Sequence, residues 1–185
     1  MYPNAMLAGG NAGPAPPVYL HTPIWVPGQR TRVILSARET AGQFAVLEQI
    51  APHGAATPCH IHHQEDELIY VLDGELMVYL DGMPRAVTRG ALVLLPCGRE
   101  HAFVVESVEA RVLTVFSPAG FERLIIEAGQ PVVGPLRPMI EVGACEVERM
   151  VTAAARYECD ITGPPPRPRT RLPNSLCSHA RALAD

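Results

Sequence analysis

The sequence predicts an all-β domain, an antiparallel barrel or sandwich, followed by two α-helices. Short runs rich in Val, Leu, Ile and aromatic residues succeed one another between positions 18 and 116, each bounded by turn residues. No helical periodicity separates these runs, which favours antiparallel pairing over a parallel sheet. Beyond Phe116 the apolar residues recur at helical spacing instead.

The predicted strands follow in quick succession, and two dipeptides mark turns. Asp73-Gly74 and Asp81-Gly82 are typical of tight turns, and the second lies between two of the runs. In chain order the runs are VYLH, TRVILSA, QFAVLEQIA, ELIYVLD, ELMVYL, RAVT, ALVLLP, HAFVVES and ARVLTVF.

The first predicted helix lies in the segment AGFERLIIEAG, which Gly129 and Pro131 end. Its apolar positions share one helical face: Phe121, Leu124, Ile125 and Ala128. A second helix is predicted across CEVERMVTAAARYE. One face of that helix carries Val147, Met150, Val151 and Ala154.

Composition divides the chain into three parts. Residues 1–17 are a Gly/Pro/Ala lead-in that we expect to be loosely ordered. Residues 18–162 hold all the predicted strands and helices and are numerous enough for one domain with a sizeable core. Residues 163–185 are rich in Pro and Arg and lack periodicity, so we expect a disordered or docked tail.

The basic residues exclude several kinds of chemistry. All 15 are arginine, so the chain has no lysine for Schiff-base chemistry, pyridoxal phosphate attachment or a phosphate-binding loop. The net charge of -4 gives no basic field for nucleic acids or acidic membranes. We therefore expect neither of these partners.

The cysteines favour a reducing compartment. Their number is odd and none forms a C-x-x-C pair, which is typical of free thiols in the cytoplasm. The five are Cys59, Cys97, Cys145, Cys159 and Cys177. No charged residue precedes Arg30, and Gly and Pro interrupt the early apolar residues. We therefore predict no secretory signal and no membrane span.

Three histidines and a glutamate stand where neighbouring strands could bring them together. His60 and His62 alternate on one strand, so they point to the same face. Glu67 follows on the next strand and His101 on a later one. Nitrogen and oxygen donors without a thiolate suit iron, manganese, nickel, copper or cobalt, and zinc is a further candidate. We predict one divalent transition metal bound by these four residues.

Neighbouring polar residues offer alternatives to this set. Asp66 competes with Glu67, but its strand parity is opposite, and we therefore prefer Glu67. His63 faces away from His62 and is interpreted as a surface residue. The run Glu65, Asp66 and Glu67 resembles a solvated acidic face from which only Glu67 points inward.

These residues stand in two motifs that resemble those of the cupin family. The first motif is G-x5-H-x-H-x3–4-E-x6-G, and the second is G-x5-P-x-G-x2-H-x3-N. Nine fixed positions agree with them: Gly54, His60, His62, Glu67, Gly74, Gly90, Pro96, Gly98 and His101. Only the last Asn slot departs, because Val105 fills it. More loosely, residues 18–166 are similar to small single-domain cupins related to bacterial quercetin dioxygenase.

The resemblance implies a fold and an activity. The fold would be a cupin jelly-roll β-barrel with C-terminal helices, commonly paired into a homodimer. The activity would be that of a metal-dependent dioxygenase acting on an enol or hydroxy-ketone, with Glu67 as both ligand and proton acceptor. Other cupins imply alternatives: a metal-dependent isomerase, lyase or decarboxylase, or a non-catalytic module that binds a small molecule.

Overall fold

The computed structural model describes residues 22–132 and 144–169 as twelve strands, two α-helices and one 3₁₀ turn. The first predicted run, VYLH, lies outside the described residues. The strands are β1 Ile24–Val26, β2 Gln29–Leu35, β3 Ala45–Pro52, β4 Cys59–His62, β5 Asp66–Asp73, β6 Glu75–Leu80, β7 Met83–Thr88, β8 Leu92–Leu95, β9 His101–Val105, β10 Glu109–Ser117, β11 Gln130–Pro131 and β12 Cys159–Gly163. The helices are α1 Glu122–Ala128 and α2 Ala144–Ala154, and the 3₁₀ turn is Ala155–Tyr157.

The strands form two antiparallel sheets, which confirms the predicted all-β jelly roll. The larger sheet has the order β11-β1-β2-β3-β10-β5-β8, and the smaller one β12-β4-β9-β6-β7. Consecutive strands β5 and β6 lie in different sheets, so the chain crosses from one sheet to the other at Gly74. The two sheets form the walls of the barrel. On each strand every second side chain points into the space between them.

The two predicted turns have different roles. Asp81 and Gly82 both have positive φ, 48° and 73°, and join β6 to β7 as the hairpin requires. Gly74 has a φ of 84°, and a Cβ there would lie 2.4 Å from the Glu109 carbonyl oxygen. Glycine is therefore required at this corner for both its backbone conformation and its lack of a side chain.

Two apolar clusters fill the interior. One lies between the two sheets and includes Ile69, Val78, Phe103 and Val105. The other joins the larger sheet to the helices and β12. It includes Phe116 of β10 and three residues of α1: Leu124, Ile125 and Ala128. Burying such side chains stabilises each by about 1.5 to 3 kcal/mol relative to exposure. The predicted core face of α1 is confirmed, and it closes one end of the barrel.

The second helix is oriented differently from the prediction. Val147 and Val151 are exposed, whereas Ala153 and Ala154 are buried against α1 and β12. The prediction of which residues form the buried face of α2 was therefore wrong in part. Contacts with α1 and β12 set the orientation of the helix, and these contacts come from residues distant in sequence.

The chain after α2 returns to the barrel. β12 pairs with β4 along its full length, and the following segment passes over Gly54. The backbone N–H of Arg169 donates to both carboxylate oxygens of Glu106, at 2.8 and 3.1 Å. The first residues of the predicted tail thus contact the domain, and residues 170–185 lie outside the described part. Within the described residues no helix has the length and apolar content needed to span a membrane.

Candidate metal centre

Three strands from both sheets bring the four predicted ligands together. β4 carries His60 and His62, and β9 pairs with it so that His60 stands directly opposite His101. Glu67 comes from β5 in the larger sheet, where its register partners are Phe116 and Leu95. The group therefore bridges the two walls of the barrel, with three imidazoles on one wall and one carboxylate on the other.

Strand alternation explains which side chains point inward. His60 and His62 are buried. Cys59, which precedes them, and Ile61, which lies between them, are partly exposed. On β5 Glu67 is buried and Asp66 is exposed. Asp66 instead accepts a hydrogen bond from the Cys97 backbone N–H at 2.8 Å, and so holds the loop before His101. Strand alternation therefore turns Glu67, and not Asp66, toward the interior.

The four side chains are close enough to share one ion. Their donor atoms all lie within 4.8 Å of one another. His101 Nε2 is 3.1 Å and His62 Nε2 is 3.4 Å from Glu67 Oε2. The ring of His60 lies 4.3 Å from that of His101 and 4.9 Å from that of His62, centroid to centroid.

Backbone carbonyls orient two of the three imidazoles. His60 Nδ1 lies 2.8 Å from the Pro58 carbonyl oxygen, and His101 Nδ1 lies 2.9 Å from that of Arg99. A carbonyl only accepts, so each Nδ1 carries the proton and each Nε2 is directed at the centre of the group. Such partners are typical of metal-binding histidines because they fix the ring and its tautomer.

Burial and mutual contacts shift the pKa values in this group. Burial, together with the charges of His101 and His62, lowers the pKa of His60 to about 4. Burial alone would raise the pKa of Glu67, but its contacts with His101 and His62 hold it below the ordinary value. The Glu67 carboxylate is therefore ionised and His60 is neutral. Burial alone would lower the pKa of His101, but its contact with Glu67 raises it, so metal binding would release a proton from that ring.

The chemistry of the donors fits a metal ion. His62 is 1% exposed, yet neither of its ring nitrogens makes a hydrogen bond among the described residues. An unsatisfied buried imidazole facing a carboxylate and two other imidazoles is accounted for by a cation between them. Nearby Cys159 adds no thiolate, because burial and the charge of Glu67 raise its pKa to about 12.

Other residues considered in the sequence lie outside this group. His63 is exposed and pairs with Asp160, with 2.8 Å between Nε2 and Oδ2. Cys97 is exposed on its loop. Val105, in the slot where the motif has Asn, is fully buried in the apolar cluster between the sheets, so it packs instead of contributing a polar group.

One buried acidic residue beside this group was not predicted from the sequence. Glu65 is 5% exposed, although the acidic run predicted a solvated side chain there. Its Oε2 lies 3.8 Å from His62 Nδ1, and burial raises its pKa to about 7. The available signal was strand parity, since Glu65 and Glu67 are two positions apart and share a face.

Comparison with known proteins identifies the domain that carries this group. A family profile described as a cupin domain matches residues 46–116, a range that contains all four residues of the group. The chain contains a cupin domain. The matched range spans strands β3 to β10, which belong to both sheets of the barrel, whereas β1, β2, β11 and β12 lie outside it.

Two curated proteins resemble this cupin over part of their length. Quercetin 2,3-dioxygenase of Bacillus subtilis is 26% identical over 110 residues, which are 60% of this chain and 33% of that protein. An uncharacterised protein of Streptomyces coelicolor is 38% identical over 56 residues, 30% of this chain and 53% of that protein. The chain thus spans about a third and about half of these relatives.

Solved structures share the fold. A predicted oxalate decarboxylase of Thermotoga maritima has a TM-score of 0.50 at 19% identity, covering 53% of this cupin and 93% of that chain. Oxalate decarboxylase of Bacillus subtilis has a TM-score of 0.51 at 22% identity, covering 59% of this cupin and 31% of that chain. At these identities the likeness concerns the jelly roll alone.

Proposed function

We propose that this cupin binds one divalent transition metal through His60, His62, Glu67 and His101 and acts as a metal-dependent dioxygenase. The observation that carries the proposal is the buried group whose donor atoms lie within 4.8 Å of one another. The similarity to quercetin 2,3-dioxygenase supports an oxidoreductase, and we propose an enol or hydroxy-ketone as the small-molecule substrate. The metal would be iron, manganese, nickel, copper, cobalt or zinc.

Each part of the site has a defined role in this proposal. When bound, the metal supplies Lewis acidity toward a substrate oxygen and the chemistry that dioxygen requires. Glu67 holds the metal and accepts the hydroxyl proton of the substrate at a carboxylate oxygen. The rings of Phe116 and Phe121, which pack against His62, exclude water from one side of the group.

Oxygen uptake tests the reaction. The protein is purified without added metal, its metal content is measured, and each of the six metals is restored in turn. Oxygen consumption is then recorded with flavonols and diketones as probes. The proposal predicts oxygen uptake that depends on both metal and substrate. Product formation under nitrogen would contradict it and favour an isomerase, lyase or decarboxylase.

A matched pair of variants controls the assay. His101→Ala removes a proposed ligand, whereas His63→Ala removes an imidazole that is exposed and outside the group. Uptake should be lost only in the first variant. Tight binding of a probe compound without turnover in any metal form would instead identify a non-catalytic binding module.

We further propose a cytoplasmic homodimer built from one domain, residues 18–162, between a lead-in and a tail. The four cysteines of the described part are free thiols, which supports a reducing compartment. Tyr70, Leu92 and Leu94 expose apolar surface beside the edge strand β8, and a second copy would cover it. Light scattering at micromolar concentration should give twice the chain mass, and a monomer would refute the dimer.

A further inference from the structure

The three imidazoles of the metal centre differ in what surrounds their outer nitrogens. His60 Nδ1 and His101 Nδ1 each face a backbone carbonyl at hydrogen-bond distance. His62 Nδ1 has no such partner among the described residues. The atom nearest to it with an opposite charge is Glu65 Oε2, at 3.8 Å.

Glu65 has an unsatisfied oxygen at the same place. Its Oε2 is buried and makes no hydrogen bond within the described part of the chain. A buried donor and a buried acceptor that face each other without bonding are both destabilising, each by about 1 to 3 kcal/mol. A shift of about 1 Å would bring them to hydrogen-bond distance.

The surroundings restrict where the two side chains can move. The His62 ring packs edge-on against Phe121, with 4.1 Å between ring centroids. The other oxygen of Glu65 stands against Gly120, where a Cβ would lie only 3.3 Å away. A Cβ at position 120 would therefore crowd Glu65, whereas glycine leaves room for its carboxyl group beside His62.

We infer that Glu65 is a positioning residue that accepts a hydrogen bond from His62 Nδ1–H when the metal is bound. This bond would fix the His62 ring with Nε2 toward the metal, as the two carbonyls do for His60 and His101. The inference rests on the proposed metal site. In the acidic run, Glu65 would then position His62, and Glu67 would bind the metal.

Metal affinity tests the inference without an assay of turnover. Zinc or cobalt dissociation constants are measured by competition with a chromophoric chelator. Glu65→Met removes the acceptor and should weaken binding about 10- to 100-fold, the range typical of outer partners of metal ligands. Glu65→Gln keeps an acceptor oxygen and should stay within about threefold of the unmodified protein. Glu122→Gln is the matched control, because Glu122 is buried nearby but bonds to the Ala37 and Gly120 N–H groups.

If the Glu65→Met variant fails to fold, NMR of the unmodified protein and of the Glu65→Gln variant still tests the inference. In the zinc-loaded unmodified protein, NMR should show protected Nδ1–H protons for all three histidines, and the His62 signal should shift in Glu65→Gln. A metal bound through His62 Nδ1 would overturn the inference. Equal metal affinities of the unmodified, Glu65→Met and Glu65→Gln proteins would also overturn it. Absence of metal binding in the unmodified protein would instead refute the proposed function.

Discussion

At the scale of single residues, two adjacent carboxylates are assigned to different tasks. Glu67→Gln keeps the shape of the side chain and one oxygen, so part of any bound metal should remain, but the proposed proton acceptor is lost. Turnover should fall by about two orders of magnitude or more. Asp66→Asn is the control, because Asp66 is exposed and serves the Cys97 loop. A larger loss in the Asp66 variant would show that the wrong carboxylate had been chosen.

The histidines give a simpler prediction. His60→Ala or His101→Ala each removes one of four donors from a closed group, so metal content should drop from about one ion per chain to a small fraction. Elemental analysis after gel filtration measures it. Full occupancy in both variants would contradict the site.

A third residue-scale prediction concerns Glu48 on the outer side of β3. Burial raises its pKa, but hydrogen bonds and charges from Arg111 and Arg32 outweigh this and lower it below 4.5. Its contribution to stability is therefore fully present above that value and is lost as the pH falls through the folded-state pKa. Glu48→Gln should lower the free energy of unfolding by about 1 to 3 kcal/mol at pH 7.

This difference should shrink as the pH falls through the lowered pKa of Glu48. Urea unfolding at several pH values measures it, with Glu109→Gln at an exposed position of β10 as the control. A difference that stays constant with pH would show that the arginines do not act through the charge of Glu48.

At the scale of elements, the corner between β5 and β6 depends on one glycine. Gly74→Ala would place a Cβ 2.4 Å from the Glu109 carbonyl oxygen at a φ of 84°. Strain and overlap each cost about 1 to 3 kcal/mol, so we expect about 2 to 6 kcal/mol of destabilisation. Gly82→Ala also has a positive φ but meets no atom within 4 Å, and it should lose only about 1 kcal/mol. Thermal unfolding distinguishes the two, and equal effects would rule out the overlap.

Some of the secondary-structure elements could be predicted from the sequence, and others could not. The longer strands were predictable because apolar runs end at turn residues, and the ligands because alternation fixes their faces. β1, β11 and β12 have two to five residues, too few for a periodic signal. The orientation of α2 depends on contacts with β12 and α1, which no local pattern reveals, whereas the two-residue spacing of Glu65 and Glu67 offered a local signal for the burial of Glu65.

At the scale of the whole molecule, the tail can be tested by truncation. Composition predicted that residues after 166 add little, but Pro168 lies 3.8 Å from the Cβ position of Gly54 and Arg169 N–H bonds to buried Glu106. A chain ending at Pro166 should therefore lose about 1 to 3 kcal/mol. A chain ending at Arg169 keeps these contacts and should match the full chain. Equal melting temperatures for all three would mean that the Arg169 contact adds nothing.

The pairing of β12 with β4 also determines the order in which the protein can mature on the ribosome. Both histidines of β4 lie early in the chain, whereas their neighbour on one side is synthesised about a hundred residues later. Until then one edge of β4 remains unpaired. The proposed ligands His60 and His62 therefore gain their full set of strand neighbours only after the carboxyl-terminal strand has been synthesised. We expect the metal site to be completed late in folding, when β12 has docked.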